Sequence, residues 1–131
     1  MSWTPNKKEI ASVIKMDGAK RYMHFIKKVA DNEIVWSLRD DEGWALSADD
    51  SAIEAIPVWP HREYASICAA ENWQGFRPEP IDLDIWLTRW IPGIDRDKRK
   101  VAVFPTPNGK GVCVNANRLS EDIRAELQNY E

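Results

Sequence analysis

The run Val101-Ala102-Val103-Phe104-Pro105-Thr106-Pro107-Asn108-Gly109-Lys110-Gly111-Val112-Cys113-Val114 constrains the fold more than any other stretch of the chain. Two short segments, apolar at consecutive positions and rich in β-branched residues, flank a loop of Pro, Asn and Gly. This is the pattern of a hairpin buried on both faces of its sheet, and it predicts the centre of that sheet. No stretch makes a comparable statement about chemistry.

Length and charge narrow the remainder. A chain of 131 residues fits one domain, residues 1–131, with a self-supporting core. No apolar run approaches the roughly 18 residues a membrane helix needs, and the lysines near the N-terminus precede no apolar segment. A cytoplasmic protein with no membrane association is expected. The net charge of −3 gives no overall attraction for nucleic acid, so that partner is not expected either. Cys68 and Cys113 fall in a predicted helix and a predicted central strand, among small or apolar neighbours, and read as buried thiols. The unusual feature is seven tryptophans, which fill cores but also anchor interfaces and pockets.

Thr4 and Pro5 read as the N-cap and first position of a helix ending near Asp17-Gly18. In a second helix Ala19, Tyr22, Met23, Ile26, Val29 and Ala30 recur at helical spacing, opposite a solvated cationic face of Lys20, Arg21, His24, Lys27 and Lys28. From Ile34 the period falls to two, as in a half-buried strand, with Ile34, Trp36 and Leu38 alternating with Val35, Ser37 and Arg39. A turn at Asp40-Asp41-Glu42-Gly43 returns the chain as a strand over 44–48, and Asp49-Asp50-Ser51 opens a loop or helical turn. Residues 56–60 are extended, and Pro57 confines that strand to an edge or to a start at the proline. A third helix over 61–70 buries Tyr64, Ala65, Cys68 and Ala69. Residues 72–80 form a loop with Trp73 and Phe76 folded back onto the body. Asp82 caps a helix with Leu83, Trp86, Leu87, Trp90 and Ile91 on one stripe, and Pro92-Gly93 stops it. Residues 96–100 are a solvated connector, and Asn117 or Ser120 caps a last helix carrying Leu119, Ile123 and Leu127. The order predicts an α+β domain of about five mostly antiparallel strands with helices packed on the sheet.

Several words along the chain resemble a known family: Arg21-Tyr22, Phe25-Ile26-Lys27-Lys28-Val29-Ala30-Asp31, Val35-Trp36-Ser37-Leu38, Asp41-Glu42-Gly43-Trp44-Ala45, Pro57-Val58-Trp59-Pro60-His61 and the hairpin from Val101 to Gly111. They are similar to a bacterial domain-of-unknown-function family, number 2750, over about residues 21–126. The resemblance carries over no catalytic or ligand residue. A weaker likeness is to SseB-like and bacterial immunity-protein domains, where a Pro-Val-aromatic strand leads into a helix and a later Pro-containing hairpin into a last helix. It implies a binding module.

The candidate sites are few. Asn108-Gly109-Lys110-Gly111 lacks the spacing of a phosphate loop and reads as turn chemistry, with a weak anion nest at Asn108 and Lys110 left open. His24 and His61 stand at no ligand spacing, the cysteines are far apart, and the acidic clusters lack a calcium-loop pattern, so neither a metal nor a cofactor is expected. One acid–base grouping merits inspection: His61 with Asp40 or Asp41 and Tyr64. Trp44 and Trp59, if they share one end of the sheet, wall a shallow pocket or a protein-binding patch with His61 and Arg62 as polar handles; otherwise they join Trp36, Trp86 and Trp90 in the core. The sequence thus favours a protein-interaction module with an immunity or regulatory role over an enzyme. Its alternative is a small-molecule-binding protein or modest enzyme with a pocket near Trp44, Trp59 and His61.

Overall fold

Helix α1, Lys7–Ile14, begins two residues later than Thr4-Pro5 predicts in the computed structural model, which describes residues 3–48, 51–109 and 111–130. The Asn6 side chain accepts from the Glu9 N–H at 2.8 Å, and Asn is a stronger cap than Thr. Helix α2, Gly18–Asn32, is capped in the same way by Asp17 and ends at Glu33, whose φ of 59° closes it in the left-handed region. It buries Phe25, Ile26, Val29 and Ala30. Met23 lies on the predicted apolar stripe yet is 48% exposed. The cationic face is not wholly solvated: Arg21 donates to the Phe104 carbonyl at 3.2 Å and to that of Met16, and the Lys28 ammonium lies over the Trp3 ring.

The strands are β1 (Ile34–Asp40), β2 (Gly43–Trp44), β3 (Ser47–Ala48), β4 (Glu54–Val58), β5 (Arg77–Asp82), β6 (Lys100–Val103) and β7 (Val112–Asn115). They form sheets of order β2-β1-β5 and β3-β4-β6-β7, giving seven strands among the described residues where about five were expected. All pairs are antiparallel except β4 with β6. The predicted return strand 44–48 is split, because the chain passes from one sheet to the other at buried Ala45, whose N–H donates to Leu38. Trp36 and Trp59 exchange both backbone hydrogen bonds, at 3.0 and 2.8 Å, and so tie the two sheets together. β1 is therefore central rather than half-buried: Leu38 from one alternating set and Val35 and Ser37 from the other are all fully buried. Ser37 meets the cost of burying a hydroxyl by donating to the Pro57 carbonyl at 2.7 Å.

Backbone direction explains the prolines. Val58 accepts from the Phe104 N–H on the β6 side, and Trp59 faces Trp36 on the other; alternation then turns the Pro57 nitrogen away from β6. Among the described residues β3 pairs only with Glu54 and Ala55, so β4 lies inside its sheet but has an edge at the proline. Residues 77–80, expected in a loop, belong to β5, an edge strand antiparallel to β1. Pro78 and Pro80 stand opposite Leu38 and Trp36, which direct their own hydrogen bonds away from β5, so the missing N–H groups point outward.

The 101–114 hairpin forms, but only half of it is central. Val101, Ala102 and Val103 are buried in an interior strand, whereas β7 is an edge whose Val112, Cys113 and Val114 are half-buried. Helix α3, Arg62–Asn72, packs on β1 and β5 and buries the four residues expected of it; Trp73 and Phe76 do fold back onto the core. Asp82 caps α4, Leu83–Ile85, as expected, but the helix does not stop at Pro92. A π-turn over Trp86–Trp90 leads into α5, Ile91–Arg96, with Pro92 in its first turn. The Ile91 N–H reaches the Trp86 carbonyl, and this wider turn precedes the proline, which could not have continued an α-helical ladder. Helix α6, Ala116–Leu127, starts after Asn115 rather than at Asn117 or Ser120, and packs on α2 and α5.

Candidate functional site

The loop after β6 is fixed by backbone acceptors. Phe104 is held at φ 59°, donates to Val58 and accepts from Arg21. The Pro105 carbonyl accepts from the Trp59 indole N–H at 2.8 Å and the Cys68 thiol at 3.1 Å. Thr106 and Gly109 close the tip with reciprocal hydrogen bonds. This assigns Trp59 to the scaffold: it is fully buried and cannot share a surface pocket with Trp44. Asn108 is exposed at the tip, beside a cavity of about 350 Å³ formed with Trp73, Thr106 and Pro107; Lys110 lies outside the described residues.

His61 is the N-cap of α3. Its Nδ1 accepts from the Glu63 N–H at 3.1 Å, a role for the neutral ring, and burial pushes its pKa below the ordinary imidazole value. The acid–base grouping is not assembled. Asp40 accepts from the N–H groups of Glu42 and Gly43 within its own turn, and Asp41 pairs with Arg77 at 3.4 Å. His61 instead meets Trp3 edge-on, with ring centroids 5.2 Å apart, and His24 meets the same indole at 6.0 Å. The Trp3 N–H donates to Glu9 at 3.2 Å, so the N-terminal segment is tied down between the two histidines. Arg62, the next residue, is exposed. Among the described residues, His24 Nε2 and Tyr64 Oη are buried without a hydrogen-bond partner, and burial also raises the Tyr64 pKa.

Two larger open cavities lie elsewhere among the described residues. The larger, about 630 Å³, runs between α2 and α6 beside β7, with Met23, Ile26, Val112 and Val114 as its apolar surface. At one side the Tyr22 hydroxyl donates to Asp122 at 2.5 Å, and Arg118 donates to the same carboxylate at 3.2 Å. Burial, then the Asp122 contact, raises the Tyr22 pKa, so the phenol stays a donor. The second cavity, about 400 Å³, does contain Trp44, but its partner is Trp90 rather than Trp59. The rings meet at 90° with centroids 4.7 Å apart. Trp36 and Trp90, both expected in the core, are half-buried. Regular helical spacing puts Trp90 near the middle of its stripe, and the wider π-turn over Trp86–Trp90 rotates it toward the edge. The spacing of the stripe carries no signal for that rotation. Tyr22, Asp122 and Arg118 had none, since their contact spans a hundred residues of sequence.

Fold and surface together define an α+β domain with an apolar groove and an aromatic pocket. Residues 22–123 match the family described as a protein of unknown function (DUF2750), and the chain belongs to that family. No curated protein matches it. No helix among the described residues is long and apolar enough to cross a membrane, and no three potential metal ligands converge there.

Proposed function

We propose that the protein is a cytoplasmic binding module that takes a protein partner in the groove between α2 and α6. The observation carrying this reading is Met23, 48% exposed on an open, mainly apolar surface that Arg118, Asp122 and Glu126 also line. Interfaces combine an apolar centre with a polar rim, and methionine adapts to varied side chains. The Tyr22–Asp122–Arg118 contacts occupy one lining carboxylate, while Glu126 makes no ion pair among the described residues. The fitting partner therefore presents apolar side chains flanked by a lysine or arginine. A module of this kind acts by occupying its partner, as regulatory and immunity proteins do.

A photo-crosslinking residue placed at position 23, with position 46 as an exposed apolar control, tests the reading in intact cells. A discrete crosslinked protein is expected from position 23 alone, and Ala125→Arg, which fills the groove from α6, abolishes it. Equal patterns from both positions, or a product indifferent to Ala125→Arg, would overturn it.

A further inference from the structure

We infer that the pocket of Trp44 and Trp90 is a binding site for a small planar aromatic anion, a property independent of the groove. Its volume of about 400 Å³ lies within the roughly 300–1,000 Å³ of small-molecule sites. Trp44 is held in place before any ligand arrives, with Arg39 over its ring at 5.5 Å and Trp90 perpendicular to it. Trp90 in turn stacks on fully buried Trp86, with centroids 5.6 Å apart. Two fixed rings at right angles form a corner in which a planar guest stacks on one and meets the edge of the other.

Charge selects the guest. Arg99 donates to Glu54 at 3.1 Å and lies 3.8 Å from Asp97, which also faces Arg96 at 3.9 Å. Those four side chains neutralise one another. Arg89, on the π-turn beside Trp90, lines the same pocket and has no ion pair among the described residues. It adds to the lining of an indole-walled cavity a guanidinium that no carboxylate among the described residues compensates; Arg39, over the Trp44 ring, does not line the cavity. A guanidinium pairs with a carboxylate through two parallel hydrogen bonds, so the matching ligand is an aromatic ring bearing one carboxylate.

The probe is 2-naphthoate, with 2-naphthamide as its neutral isostere, titrated into the full chain while the tryptophan indole N–H signals are followed by NMR. Saturable shifts of the Trp44 and Trp90 signals are expected, with naphthoate bound at least about tenfold more tightly than naphthamide. Arg89 is exposed, so Arg89→Gln leaves the fold intact and is expected to bring the two affinities together. Equal affinities in the wild type, an Arg89→Gln variant that still prefers the carboxylate, shifts centred on the α2–α6 groove, or no saturable shift at millimolar probe would each overturn the assignment.

Discussion

Gly111 matters through the side chain it lacks. Its φ is +80°, and an added Cβ would lie 2.7 Å from the Val103 carbonyl oxygen and 2.8 Å from the Pro105 nitrogen. Gly111→Ala is expected to lower unfolding stability by at least about 2 kcal/mol in urea titration. Gly43→Ala, with φ +145° but open space around its Cβ, loses only its backbone share, about 1 kcal/mol. A second residue-level effect comes from the histidines. Burial holds His24 and His61 below the ordinary value of 6.5; Lys28 acts the same way on His24, and Glu9 opposes both shifts. As pH falls below 6.5, the unfolded chain takes up protons that the folded chain refuses, so stability declines there and levels off once the folded rings protonate. The urea midpoint is expected to be lower at about pH 5.5 than at about pH 7.5, and His24→Gln with His61→Asn flattens the difference while keeping a good N-cap. His61 was legible in the sequence as the start of a helix. Its contact with Trp3 was not, because nothing local to either residue sets it.

Single elements were read best where their pattern is internal. The buried set of α3 follows from spacing alone, as does most of α2. Strands fared worse, because burial of a strand depends on which neighbours cover it. Ser37 reads as outward until β4 and β5 are placed on either side of β1. Pro78 and Pro80 read as loop residues because a proline removes a ladder donor, yet at alternate positions on an edge it removes only the outward one. That arrangement also protects the edge from pairing with another chain. The double variant Pro78→Val, Pro80→Val restores two outward N–H groups on a β-favouring strand. It is expected to keep its far-UV circular dichroism but to self-associate with rising concentration in sedimentation velocity; a monomer at all concentrations would show that the edge is protected by other means.

At the scale of the whole molecule, the aromatic surplus is plain in the sequence, but the place of each ring is not. Trp59 was divided from Trp44 by the loop after β6, which claims its indole N–H through Pro105. The groove brings together Tyr22 and Asp122 from helices near opposite ends of the chain, a juxtaposition that only the packing of α2 on α6 produces. The α+β class was legible because helical and strand periods alternate in blocks; the parallel β4–β6 pair was not, since α3, β5 and the 83–96 helix intervene. The central claim is that the groove is where a partner binds, through apolar contact at Met23 and charge at Glu126. Its most direct test is isothermal titration of the purified protein crosslinked at position 23 against wild type, Met23→Lys and Glu126→Lys. Both substitutions are at solvent-accessible positions, and each is predicted to weaken binding by at least about tenfold; affinity unchanged in both would contradict the account.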